Sequence, residues 1–462
     1  MRILLVSLNR VADPYPVFPL GMAYVADALR ARGHEVLLHD LLYQSEQDLE
    51  ARAEALKPDV VALSLRNIDN VRADQMVSYI RGLRDLVGRL RTACAARIVV
   101  GGAGFSVFPD EVLEHLTADY GLCGEAESSF PALLDCLASG ETPEAIPGLV
   151  YWQGGRLRRS QCVSALQAPD AAFAPDADWV AAYRQRGAVF NVQSQRGCPL
   201  RCCYCTYPLI EGRNRRLRSY ERIVQELRAW KALGVNYVFF VDSVLNTSSG
   251  HLRRLAEALI EANTGMQWGC FMRPQVFKAE DLDQLYQAGL RHVEFGSDSF
   301  SDSVLKAYGK SFGFEEIRIA SEQMREVGIH FCHFLIFGGL GESKATMEES
   351  FERSQKLPSD VFFAFPGMRV YPRTPLWHQL RERGLSLPEN LLEPYFFIEP
   401  ELSVDGIVAR VEAQIPVDSR WMPADLPAST QAFVAKLRAR KIEGPLWEYF
   451  GLLNRFAQSA PR

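Results

Sequence analysis

Four of the ten cysteines fall within eight residues, in the run Cys198-Pro199-Leu200-Arg201-Cys202-Cys203-Tyr204-Cys205. Thiolates are the usual ligands of iron–sulfur clusters, generally four to a 4Fe–4S cluster. The spacing Cys198-x-x-x-Cys202-x-x-Cys205 puts three thiolates on one short loop. One iron of such a cluster then stays open to another ligand. Cys203 is adjacent to Cys202 and is expected to point away from the same centre. Zinc is the competing chemistry. A closed zinc site normally wants four protein ligands, often as two cysteine pairs, and Cys203 could supply a fourth sulfur in principle.

The loop needs a frame. A strand candidate, Val189–Ser194, leads into it, and others follow at Tyr237–Val241, Trp268–Met272, His292–Phe295, Phe331–Phe337 and Phe362–Phe365. Helical stretches separate them, which makes six βα units. In a barrel of such units the site residues lie at the C-terminal strand ends. Those ends carry Asp242 after the second strand, Arg273 after the third, and Gly296, Ser297, Asp298 and Ser299 after the fourth. The fifth ends in Gly338-Gly339-Leu340-Gly341-Glu342, and the sixth leads to Met368-Arg369-Val370-Tyr371-Pro372.

The first third of the chain also alternates. Strand candidates are Arg2–Leu8, Glu35–Leu38, Val60–Leu65, Arg97–Val100 and Tyr120–Cys123. Helical stretches are expected at Gly21–Arg32, Gln44–Leu56, Ala73–Thr92, Asp110–Leu116 and Ser128–Leu137. This pattern predicts a doubly wound parallel sheet, with ligands at the carboxyl ends of its strands. The turns there are Ser64-Leu65-Arg66-Asn67-Ile68-Asp69-Asn70, Gly101-Gly102-Ala103-Gly104 and Gly124-Glu125-Ala126-Glu127. Glycine lets a backbone approach a bulky ligand without a Cβ clash. No Gly-x-Gly-x-x-Gly follows the first strand and no Gly-Lys-Ser/Thr is present, so neither a dinucleotide fingerprint nor a phosphate loop is at hand.

Composition narrows the rest. At 462 residues, 48% hydrophobic and 23% charged, the chain has the make-up of a folded protein of several domains rather than a disordered or coiled-coil one. A net charge of −5 gives no global attraction to nucleic acid. The basic run Arg213-Asn214-Arg215-Arg216-Leu217-Arg218 is short and is expected to act locally, near a cofactor's carboxylate or phosphate. No apolar run reaches the ~18–20 residues of a membrane helix. The N-terminus reads as a buried first strand of a cytoplasmic protein, without stable membrane insertion. In a reducing compartment clustered cysteines favour metal binding over disulfides.

The cysteine loop, with Tyr204 just before its last cysteine, resembles the signature of radical S-adenosylmethionine (SAM) enzymes. The first domain resembles the cobalamin-binding domain fused to some of them, on Pro19-Leu20-Gly21-Met22-Ala23-Tyr24-Val25-Ala26, the Ser64–Asn70 turn and the Gly101-Gly102 pair. The resemblance implies a Rossmann-like cobalamin domain over 1–150, a linker over 151–185, a partial (βα)6 radical SAM barrel over 186–380 and a mostly helical region over 381–462. It implies that Cys198, Cys202 and Cys205 ligate a 4Fe–4S cluster. Tyr204, Asp242, Arg273, Gly296, Ser297, Asp298, Ser299, Gly338 and Gly339 would contact S-adenosylmethionine. Ser64, Arg66, Asn67, Gly101, Gly102, Gly124 and Glu125 would contact cobalamin.

One departure is informative. Many cobalamin domains carry Asp-x-His-x-x-Gly, and none of the eight histidines here stands in that context. Cobalamin is then expected without a protein histidine ligand, with Arg66 and Asn67 on the loop facing the lower side of cobalt.

By resemblance, the activity is methylation of an unactivated carbon or phosphorus of a small-molecule or lipid-like substrate. A deoxyadenosyl radical abstracts hydrogen and methylcobalamin gives the methyl, with a flavodoxin or ferredoxin as electron donor. Cobalamin-assisted rearrangement, cyclisation or ring contraction is the alternative within enzymes. A zinc- or corrinoid-binding module without activity is the alternative outside them. C-terminal aromatics such as Tyr395, Phe396, Phe397, Trp421 and Trp447 could close the barrel over substrate.

Overall fold

The aliphatic run Arg2–Ser7 (β1) is buried at every position after the first, because helices cover both faces of its sheet. Such burial on both sides selects continuous apolar strands rather than alternating ones. β2 (Glu35–Asp40), β3 (Val60–Ser64), β4 (Arg97–Gly101) and β5 (Tyr120–Leu122) join it in the order β2-β1-β3-β4-β5, all parallel. The order reverses between β1 and β3, which opens a crevice beyond their carboxyl ends. The structure is a computed structural model and describes residues 1–12, 15–160, 169–170, 173–423, 428–451 and 453.

Helices α1 (Leu20–Ala31), α2 (Glu46–Leu56), α3 (Leu83–Ala93), α4 (Ala103–Val107), α5 (Pro109–Leu116) and α6 (Ser129–Ser139) complete the first domain. Two expectations change here. The helix expected over 73–92 begins only at Leu83, because Asn70 ties residues 75–77 into a turn. Its side chain donates to the Gln75 carbonyl at 2.6 Å and accepts from the Val77 amide at 3.1 Å. The Gly101-Gly102 turn opens directly into the short helix α4.

The sheet also continues past residue 150. β6 (Leu149–Gln153) and β7 (Arg156–Arg159) add an antiparallel hairpin beside β5, so the boundary expected at 150 cuts through a strand. Within the expected linker, Ala177–Gln185 is a helix whose N-cap Asp176 accepts from the Trp179 amide at 2.9 Å. Part of the Ala- and Pro-rich stretch, 161–168 and 171–172, lies outside the described residues.

The second sheet contains the six expected strands, Phe190–Val192, Tyr237–Phe240, Gln267–Met272, Leu290–Asp298, His330–Phe337 and Val361–Pro366, each parallel to the next. A seventh, Trp421–Pro423, joins the edge of the sixth. The 381–462 region is therefore not purely helical. It also supplies Phe396–Phe397, which pairs with Met368–Arg369. Helices from Tyr220–Ala232 to Lys344–Ser354 cover the outer face.

The first barrel strand is an edge, and the N-terminal domain covers it. Val189 donates its amide to the Pro16 carbonyl at 3.0 Å and accepts from Phe18 at 3.4 Å. Buried polar pairs fix the two domains together. Tyr183 donates to Asp40 at 2.6 Å, and Arg369 meets Asp69 at 2.9 Å. Arg218 lies 2.7 Å from Glu226, whose carboxylate also accepts from Tyr24.

Two arginines of the basic run are spent in this interface, while Arg213 and Arg215 stay exposed. Arg216 pairs with Glu125 of the first domain and Arg218 is only 2% exposed. Their local role is structural, joining the two domains. Among the described residues no helix is long and apolar enough to cross a membrane.

Candidate active site

The cysteine loop leaves the short strand Gln195–Arg196, which pairs antiparallel with Arg216–Leu217. Gly197 turns the chain at φ +87°, and a Cβ there would stand 2.1 Å from the Asn214 carbonyl oxygen, so only glycine fits. Cys198 then donates its amide to Gly212 at 3.0 Å.

Cys203 leaves the group, as expected. Its amide donates to the Tyr308 carbonyl at 2.9 Å, and its thiol sits 3.9 Å from the Met368 sulfur in an apolar cluster. The other three face one another closely enough that Cys202 and Cys198 both act on the Cys205 thiol. Burial pushes that thiol up to about 12. Three thiols crowded in a dry pocket are poorly ionised alone and become thiolates when a metal centre binds them. Among the described residues no group of three or more His, Cys, Asp or Glu side chains could hold a single metal ion. Three thiols from one loop suit a wider, multi-iron cage instead.

Beside Cys202 stands a buried polar group that only partly shows in the sequence. Asp298 ends the fourth barrel strand at φ +66° and is ion-paired with Lys310. Tyr204 donates its hydroxyl to the same carboxylate. Lys310 donates further to the Gly296 carbonyl at 3.1 Å and to the Tyr204 oxygen at 3.3 Å. Its charge lies close enough to pull the Cys202 thiol down against the effect of burial. Lys310 was missed because nothing around Tyr308-Gly309-Lys310 marks it locally.

Other expected contacts lie elsewhere. Asp242 is fully buried beneath the loop and accepts from the Ser194 and Gln195 amides at 2.8 Å each and from the Ser194 hydroxyl at 2.8 Å. Burial still pushes its carboxyl up to about 7. With both oxygens taken, it holds the loop rather than a ligand's amine. Ser297 faces the helix layer, 2.7 Å from His333, and Ser299 accepts from the Ser301 amide at 3.1 Å.

Gly338 and Gly339 allow close packing. Cβ atoms there would come within 2.8 Å of Ile407 and 2.3 Å of the Tyr308 hydroxyl. The neighbouring Glu342 has one buried carboxylate oxygen without a partner and a pKa pushed up to about 7 by burial, so this acid of the glycine turn can accept a donor. Arg273 is half-buried at the third strand's end, its backbone clamped by Asn246.

Between the domains lies one cavity of about 630 Å³. Ser64, Arg66, Asn67, Gly101, Gly102, Gly124 and Glu125 line its first-domain side. Thr206 and Tyr207, directly after Cys205, line its middle, and Phe239, Phe271 and Glu294 lie within the barrel. Gly102 answers to packing as well. It adopts φ +101°, and a Cβ would meet the Leu65 carbonyl oxygen at 2.5 Å. Glu125 turns its carboxylate to Arg216 and Arg196.

Arg66 and Asn67 expose their side chains to the cavity. The cavity walls desolvate Arg66 and lower its pKa, and the titratable groups beside it are neutral tyrosines, Tyr15, Tyr183 and Tyr207, rather than carboxylates. No histidine is among the lining residues. This donor set fits a large flat ligand held without an imidazole, which is what cobalamin would need here.

The B12-binding domain model matches residues 7–134 and the radical SAM superfamily model matches 192–353, together well over half of the chain. An uncharacterized methyltransferase of Pyrococcus horikoshii is 24% identical over 393 residues, 84% of this chain and 83% of its own. A tryptophan 2-C-methyltransferase of Streptomyces laurentii is 23% identical over 450 residues, 82% of this chain and 74% of its own. A solved radical SAM methyltransferase from Kitasatospora setae, with cobalamin and a 4Fe–4S cluster bound, superposes with a TM-score of 0.88 at 23% identity, covering 100% of this chain and 99% of that one. That likeness is one of fold. With both domain families matched in order, and with the cysteine loop and the cavity between them, the chain belongs to the cobalamin-binding radical SAM enzymes.

Proposed function

We propose that this enzyme transfers a methyl group to an unactivated carbon of a small molecule. The observation behind the reading is that a single cavity runs from the carboxyl edge of the first sheet, past the residues after Cys205, into the barrel. When bound, the iron–sulfur cluster and S-adenosylmethionine supply one-electron access to a carbon-centred radical, and cobalamin supplies methyl-group transfer. Methyltransferase names among the relatives support the same reading.

The residues in and beside the cavity divide the tasks. Cys198, Cys202 and Cys205 would hold the cluster, with Lys310 offsetting their negative charge. Glu342, with its free buried oxygen, would take the amine of S-adenosylmethionine. Gly101, Gly102, Gly124, Ser64 and Asn67 would line the corrinoid. Arg66 would set a cation, rather than a ligating side chain, against the corrinoid. Phe239 and Phe271, packed edge-to-face at 4.9 Å, keep water from the substrate end. A flavodoxin or ferredoxin would deliver the electrons. The nine free thiols among the described residues suit a cytoplasmic, reducing setting.

The test is anaerobic turnover with S-adenosylmethionine deuterated in its methyl group. A product heavier by the labelled methyl, formed with deoxyadenosine, supports the reading. A transformed but unlabelled product would replace it with rearrangement or ring contraction.

A further inference from the structure

Among the described barrel-strand residues that line the cavity, one is a carboxylate. Glu294 lies midway along the fourth barrel strand, 5% exposed, and lines the cavity with Tyr15, Phe239, Val241 and Phe271. Its strand neighbours Val293 and Phe295 pack into the helix-side core, so Glu294 takes the inner face. Oε1 accepts from the Trp447 indole N–H at 3.0 Å, its one hydrogen bond among the described residues.

Among the described residues the groups that feel its charge offer no cation to compensate it. Tyr15 of the N-terminal loop, Tyr237 of the second strand, Cys270 of the third and Cys332 of the fifth all feel the carboxylate's charge, and none of them is a cation. His292, two residues earlier, faces Glu448 at 3.5 Å. Arg438 lies over the Tyr15 ring at 5.5 Å and donates to the Gly444 carbonyl at 2.6 Å. Burial, opposed only by the Trp447 hydrogen bond, pushes the Glu294 carboxyl up to about 7. A buried carboxylate with one donor and no cation is costly unless a ligand supplies the missing charge.

We propose that Glu294 is a specificity-determining substrate contact, receiving the ammonium of an aromatic or apolar amine whose hydrocarbon body packs against Phe239, Phe271 and Tyr15. The inference rests on the proposed function only in taking this cavity for the substrate site. Trp447 is a positioning residue, holding the carboxylate toward the cavity from the C-terminal region.

The anaerobically reconstituted full chain is titrated calorimetrically with 2-phenylethylamine and with 2-phenylethanol, its uncharged counterpart. The amine is expected to bind at least ~10-fold more tightly at pH 8. Its affinity should rise about 10-fold from pH 6 to pH 8, because the ammonium stays protonated while a carboxyl with a pKa near 7 ionises. Glu294→Gln should bind both probes equally with no pH dependence, at unchanged iron and corrinoid content. Trp447→Phe removes a donor that favours the anion, so the midpoint of the pH dependence should move upward.

Equal binding of the two probes by the wild type, or binding of neither, overturns the proposal, as does a Glu294→Gln variant that still prefers the amine. Label transfer is read separately. Amine preference without a methylated product would sink methyl transfer and leave this contact standing. A methylated product without amine preference would do the reverse.

Discussion

Cys202 and Cys203 are neighbours in sequence with opposite surroundings. Cys203 packs against Met368, while Cys202 shares its pocket with two other thiols and Lys310. Replacing Cys198, Cys202 or Cys205 by alanine should abolish the cluster, whereas Cys203→Ala should keep about four irons per chain; iron analysis after anaerobic reconstitution decides. Arg66→Ala should still bind a corrinoid but open its lower side to water, visible as a shifted absorption band of the bound corrinoid. An unchanged spectrum would remove Arg66 from that role. The cysteines were legible because the chemistry lies in their local spacing. Lys310 against Asp298 and Trp447 against Glu294 were not, since each pair meets only after folding, the second across 153 residues.

At the scale of elements, the strands of both sheets could be read because two-sided burial demands unbroken apolar runs. The helix expected over 73–92 failed in its first half. Asn70 captures that segment into a turn, and Asp69 beside it pairs with Arg369 of the other domain. β7 was missed because its exposed arginines, Arg156, Arg158 and Arg159, hide any apolar pattern, and the apolar run of β6 was split by the boundary set at 150. Turn glycines differ in what they tolerate. Gly102→Ala, at φ +101° and 2.5 Å from a carbonyl oxygen, should destabilise the chain by about 2–3 kcal/mol in urea unfolding. Gly21→Ala, in helix α1 with open space around its Cβ, should be neutral or stabilising by about 0.5–1 kcal/mol.

Across the whole molecule, the two domains act as one site because buried ion pairs lock them. Asp69 and Arg369 lie 300 residues apart and are each nearly inaccessible. Asp69→Ala leaves the arginine's charge buried, and a loss of about 3–5 kcal/mol in urea unfolding is expected. The domain families could be read from separate motifs. Their mutual fit could not, because it resides in pairs such as Tyr24 with Glu226 that no local pattern connects.

One chain is expected to hold a cluster on the Cys198–Cys205 loop and a corrinoid in the cavity next to it. Ultraviolet–visible spectroscopy with iron and cobalt analysis, on full chain reconstituted anaerobically with iron, sulfide and cobalamin, tests it most directly. One retained corrinoid, without the spectrum of a histidine-ligated cobalt, and about four irons per chain are expected. A chain that keeps its irons but releases the corrinoid on desalting would contradict it.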